Sequence, residues 1–186
     1  METFIVTGCG HSGTRLLSLQ LGQAPGWTVL HEPDDCVLAR LVAKRFEGKK
    51  RYGEVNSFLL TAARYVPVGK RGVIVRNPYD LVRSTTASLG MHRAVAYVRE
   101  AVSVTDNLIR DGFLPIKFAG ITSDPAYVVA VARELGIESL DEATVRTGAK
   151  INAHYDGPLD KPDLPFDRTT RDEFDLFIYL HQPQAW

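Results

Sequence analysis

Residues 8–15 read Gly-Cys-Gly-His-Ser-Gly-Thr-Arg. Glycines at 8, 10 and 13 let a backbone come close to a ligand. Ser12 and Thr14 add hydroxyl donors, and His11 and Arg15 add side chains that can carry positive charge. A short apolar run, Phe4-Ile5-Val6-Thr7, precedes them, and Leu16-Leu17 opens an apolar-periodic stretch behind them. That order reads as strand, tight loop, helix. A helix N-terminus offers unpaired N–H groups and a partial positive charge. Such a segment suits the holding of a phosphate or sulfate.

Two further clusters could do chemistry. Gly72-Val73-Ile74-Val75 is apolar and ends in Arg76, whose guanidinium can grip an anion in bidentate fashion. Ser84 lies about two turns into the helix that Asn77-Pro78 begins, so it can face the same side and add a hydroxyl. Glu32, in His31-Glu32-Pro33, follows the apolar run Thr28–Leu30 and places a carboxylate at that strand end. A Mg-nucleotide enzyme keeps an acid at such a strand end. Arg76 stands there instead, and His92, His154 and His181 lack ligand spacing, so no metal site is expected. Cys9 reads as a small loop residue rather than a nucleophile.

The elements that must carry these residues alternate. Strands are expected at Phe4–Thr7, Thr28–Leu30, Gly72–Val75 and Pro115–Phe118. Helices are expected at 13–22, 34–47, 57–65, 78–90, 93–111 and 124–135. Gly90, Gly112 and Gly136 stand where helices should stop, and Asp124-Pro125 should start one. The alternation predicts a parallel sheet with helices on both faces. Ligands of such sheets bind beyond the carboxyl ends of the strands, where all three clusters fall. Residues 147–169 read as a long loop and Asp172–Leu180 as a last helix, with Phe174, Phe177 and Ile178 at helical spacing.

A length of 186 residues predicts one domain, and 45% hydrophobic with 24% charged residues is ordinary for a globular chain. Lys+Arg and Asp+Glu balance at 22 each, which argues against nucleic-acid binding as the main task. No stretch approaches the roughly 18 apolar residues of a membrane span. Residues 1–7 are too short for a signal peptide, and Cys9 and Cys36 make no disulfide framework. The expected location is the cytoplasm.

With these motifs in place, the chain resembles the sulfotransferases that use 3′-phosphoadenosine 5′-phosphosulfate (PAPS). Gly8–Thr14 is similar to that family's 5′-phosphosulfate loop. Val75-Arg76-Asn77-Pro78-Tyr79-Asp80-Leu81-Val82-Arg83-Ser84 is similar to its 3′-phosphate motif, with Arg and Ser at the family spacing. Tyr52-Gly53-Glu54-Val55-Asn56-Ser57 resembles a segment of bacterial members. The likeness spans roughly residues 3–137 and is not to a standard Walker A loop: Gly13-Thr14-Arg15 replaces its Gly-Lys-Ser/Thr ending.

The resemblance implies a P-loop α/β three-layer sandwich with a mostly parallel sheet. Gly10, His11, Ser12, Gly13, Thr14 and Arg15 would hold the 5′-phosphosulfate of PAPS, and Arg76 and Ser84 its 3′-phosphate. Glu32 would be the catalytic base. His11 stands where the family keeps Lys or Arg to steady charge on the leaving phosphate, so it joins Glu32 as a catalytic candidate. Asn77 and Phe118 stand where the family commonly has Asp and Glu. The implied reaction is sulfuryl transfer to a hydroxyl or amine of a small-molecule or carbohydrate acceptor, without a metal. A nucleotide-binding protein without turnover and a small-molecule kinase are the alternatives.

Overall fold

The computed structural model describes residues 2–33 and 39–145, together with positions 174, 176 and 177. The long loop expected at 147–169 lies outside the described residues.

Five parallel strands form one sheet: β1 (Glu2–Gly8), β2 (Thr28–His31), β3 (Arg51–Val55), β4 (Lys70–Val75) and β5 (Leu114–Lys117), in the order β2-β3-β1-β4-β5. β1 is central, with Val6 opposite Val55 of β3 on one side and Gly72 of β4 on the other. The helices are α1 (Thr14–Leu21), α2 (Ala39–Phe46), α3 (Pro78–Leu89), α4 (Met91–Arg110), α5 (Phe118–Ser123) and α6 (Pro125–Glu134).

Side chains alternate across each strand, so successive residues feed two cores. Phe4, Val6, Ile74 and Ile116 pack with Leu17 and Leu21 of α1, Ile121 of α5 and Val128 of α6. Ile5, Tyr52 and Val73 pack on the opposite face with Val42 of α2, Leu81 of α3 and Val98 of α4. The direction of travel explains the division. The chain crosses leftwards only from β1 to β2; right-handed crossovers then put α1 on one face and α2, α3 and α4 on the other. The point of reversal lies at the carboxyl end of β1, which is where the glycine loop sits.

The expected fold class therefore stands, with local corrections. Arg51–Val55 is a strand that hydrophobic pattern does not reveal, so Gly72–Val75 belongs to the fourth strand rather than the third. Gly53 makes room for Phe4: a Cβ there would collide with the Phe4 ring. The helix expected at 57–65 is instead two short 3-10 turns, Ser57–Leu59 and Ala63–Tyr65. Asn56 starts the first by accepting the Phe58 N–H at 3.0 Å. Positions 34–38 of another expected helix lie outside the described residues, and its remainder is α2. The stop and start signals hold. Gly90, Gly112 and Gly136 take positive φ, and Asn77 and Asp124 cap α3 and α6. Of the last expected helix, positions 174, 176 and 177 are helical, and Phe174 is buried against Tyr79 of α3 in an edge-to-face contact at 5.3 Å.

Candidate functional site

The loop between β1 and α1 is a tight turn in which the Ser12 N–H donates to the Cys9 carbonyl at 3.0 Å. Gly13 then adopts φ +98°, a left-handed conformation that a side chain disfavours, and the Phe118 ring would lie 2.8 Å from any Cβ placed there. Gly13 offers no side-chain cap to α1, and the first turn of α1 holds no acidic residue. The first N–H groups of the helix are therefore left for an outside acceptor, with the helix dipole favouring an anion.

Three contacts brace this loop. The Gly10 N–H donates to the Tyr97 hydroxyl of α4 at 2.9 Å. Arg76, at the end of β4, donates from Nη1 to the His11 carbonyl at 2.5 Å. Its guanidinium lies 4.2 Å from the centroid of the Phe118 ring, whose edge packs on Gly13. Burial lowers the Arg76 pKa, but an arginine starts high enough to stay charged. Its Nε is buried with no hydrogen-bond partner among the described residues. Cys9 is sealed beneath the loop. Burial pushes its thiol up to about 11, against weaker opposing pulls from the Tyr97 hydrogen bond and the Arg76 charge. Burial also raises the Tyr97 hydroxyl to about 12, and Cys9 adds to the effect. Cys9 therefore remains a thiol near neutral pH and has no nucleophilic character.

Glu32 stands at the ends of β2 and β3. Its Oε1 accepts from both the N–H of Ser57, at 3.1 Å, and the Ser57 hydroxyl. The same oxygen lies 3.5 Å from Nε2 of His31. Oε2 makes no hydrogen bond among the described residues, so one oxygen is anchored and the other is open to a proton. His31 Nε2 also lies 3.2 Å from Oγ1 of Thr14, the first residue of α1. A polar chain thus runs from the loop to the carboxylate.

Among the described residues, only His11 (φ 64°) and Glu32 (φ 43°) are non-glycine residues with positive φ. These are also the two residues that the family resemblance nominates for catalysis. Sparsely populated backbone conformations persist where surrounding contacts over-determine them, and such places cluster at functional sites.

The structure brings Gly10, His11, Gly13, Thr14, Arg15 and Arg76 to the ends of two adjacent strands, β1 and β4. Arg15 and His11 are exposed, and Arg15 makes no ion pair among the described residues. Two expected ligands are placed otherwise. The Ser12 side chain is fully buried, filling the space that a Cβ on Gly8 would need, and has no hydrogen-bond partner among the described residues. The Ser84 hydroxyl donates back to carbonyls of its own helix, to Asp80 at 2.8 Å and to Leu81 at 3.1 Å. Sequence reasoning places His31 and Phe118 at strand ends without giving them a role, and it misses Ser57 and Tyr97 as parts of this site. Ser57 lies close behind the end of β3 and could have been found there. Tyr97 lies 87 positions from Gly10, and no local pattern marks it.

No protein-family model matches the chain, and none of the curated proteins matches it. No helix among the described residues is long and apolar enough to cross a membrane.

Proposed function

We propose that this protein binds PAPS through the Gly8–Arg15 loop and Arg76, and transfers its sulfuryl group to a hydroxyl or amine of a small acceptor. One observation carries the reading: an uncapped helix N-terminus and a partly buried arginine lie at adjacent strand ends. The residues suit a dianionic ligand. The first turn of α1 offers donors, and Arg76 spends one of its five N–H donors on the loop, leaving a buried Nε unspent.

Glu32 has the form of a general base. Its anchored oxygen fixes the carboxylate, and its open oxygen can accept the acceptor's proton. The nucleotide supplies the sulfuryl group. The protein holds the phosphates, positions the acceptor and stabilises charge. Acceptor identity resides in contacts beyond these residues.

The second reading is a nucleotide-binding protein without turnover. Ser84 favours it, because a hydroxyl proton committed to its own helix gives nothing to a 3′-phosphate. The kinase reading has less support: the strands flanking β1 are followed by Asn56 and Arg76, neither an acid.

Calorimetric titration with 3′,5′-bisphosphoadenosine, ADP and ATP, each with and without Mg²⁺, tests the proposal. The bisphosphate should bind tightest and without Mg²⁺. Arg76→Ala should remove most of its advantage, about 2–5 kcal/mol for a lost charge-assisted partner. Equal affinity for ADP and the bisphosphate would remove the 3′-phosphate assignment, and no binding of any adenine nucleotide would end the reading altogether.

A further inference from the structure

We infer that His31 is a positioning residue that turns the Thr14 hydroxyl into an anion donor. This rests on the reading that the α1 N-terminus holds an anion, and adds a residue which that reading does not use.

The argument begins with one nitrogen. Nε2 of His31 lies 3.2 Å from Thr14 Oγ1 and 3.5 Å from Glu32 Oε1. A neutral imidazole carries its proton on one nitrogen and leaves a lone pair on the other. Glu32 in its ionised form can only accept. A bare Nε2 would set a lone pair against a carboxylate oxygen, whereas Nε2–H faces it favourably. On the Nε2 side of the ring the carboxylate therefore favours a proton, whether the ring is neutral or charged. Ser57 holds Oε1 in place with its N–H and its hydroxyl, so the selecting charge does not drift away.

The consequence falls on Thr14. A hydroxyl has one proton to give and lone pairs to receive with. Were Nε2 bare, the Thr14 proton would go to the imidazole. With Nε2–H as donor, Thr14 Oγ1 accepts, and its proton is turned elsewhere. Thr14 is the first residue of α1, beside the uncapped N–H groups of that turn. Its proton joins those donors and points at an anion held there. Glu32 would then serve both halves of the site: its open oxygen faces the acceptor, and its anchored oxygen sets the polarity of the phosphate side.

Two measurements test this. Nitrogen-15 NMR of histidine-labelled protein reads which ring nitrogen carries the proton, with His31→Gln used to assign the resonance. The wild type should show a proton on Nε2. Glu32→Ala should release that preference, so that the Nδ1–H form becomes populated. Titration with inorganic pyrophosphate in the absence of metal reads the cradle. Thr14→Val should weaken pyrophosphate binding about 10-fold or more, the worth of a hydrogen bond to a charged group. His31→Phe should weaken the wild type several-fold and change Thr14→Val little, because it acts through the missing hydroxyl.

A bare Nε2 in the wild type would overturn the inference, even if the Thr14, Glu32 and His31→Phe variants failed to fold. So would a His31→Phe effect equally large with and without the Thr14 hydroxyl, or no effect in either. Wild type that binds no pyrophosphate would instead remove the cradle reading, and this inference with it.

Discussion

At the scale of single residues, the site divides into donors, braces and one candidate base. Glu32 is the clearest case because its two oxygens have different surroundings. Glu32→Gln keeps an oxygen for Ser57 and His31 but cannot take a proton. The variant should bind 3′,5′-bisphosphoadenosine within a few-fold of wild type. Its transfer rate should fall about 10²–10⁴-fold, the usual worth of a general base. Single-turnover transfer with labelled PAPS reads that rate. Undiminished transfer would leave Glu32 as only the clasp that Ser57 closes on. The braces work differently. Tyr97, Arg76 and Phe118 hold the loop through its backbone, so its shape depends on three residues from three separate elements.

At the scale of elements, β3 explains itself through its partners. Glu54 is fully buried on it, which no alternating pattern would suggest. Arg45 of α2 answers with two bonds, Nε to Oε1 at 2.7 Å and Nη2 to Oε2 at 2.6 Å, and the Tyr52 hydroxyl donates to Oε1 at 2.8 Å. Burial, then the Glu54 bond, hold the Tyr52 hydroxyl protonated far above its ordinary range. The cluster ties α2 to the sheet. Arg45→Met leaves the carboxylate buried and uncompensated, and should cost about 3–5 kcal/mol. Arg45→Met with Glu54→Leu should recover much of that loss, since an apolar pair of similar volume is often as stable as a buried ion pair. Urea denaturation of the wild type and both variants makes the comparison. A double variant no better than Arg45→Met would show that the cluster does more than neutralise itself.

At the scale of the whole molecule, three protons among the described residues are held more tightly in the folded state than in the unfolded chain. They belong to Cys9, Tyr52 and Tyr97, all raised chiefly by burial. The sign follows from linkage. Above the ordinary thiol value of 9.0 the unfolded chain loses the Cys9 proton while the native state keeps it to about 11. The unfolded state then binds fewer protons, so stability falls as pH rises. The Cys9 share is fully present below about pH 9 and lost by about pH 11, and amounts to roughly 2–3 kcal/mol. Denaturation at pH 7, 9, 10 and 11 should trace that decline, and Cys9→Ala should remove its first part. An unchanged slope in Cys9→Ala would mean that the tyrosines alone account for the alkaline loss.

Much of this protein was written locally. Apolar runs marked β1, β2, β4 and β5, and cap residues such as Asn77 and Asp124 marked helix starts, because those signals act between neighbours in the chain. Strand–helix alternation was enough to give the layers, since few topologies accommodate it. The glycine loop, Arg76 and Glu32 could be nominated because strand ends are where such sheets bind ligands. Other features were decided only by packing. Arg51–Val55 became a strand because Arg45 neutralises Glu54 and Gly53 admits the Phe4 ring, and both partners come from other elements. The inward turn of Ser12 depends on the space beside Gly8 and Ile74. The pairing of Thr14 with His31 follows from the sheet order, which sets the end of β2 within reach of the start of α1. Sequence carries the residue types and the local periods. Which charges meet, and which hydroxyl keeps a proton to give, depends on distances that only the folded chain fixes.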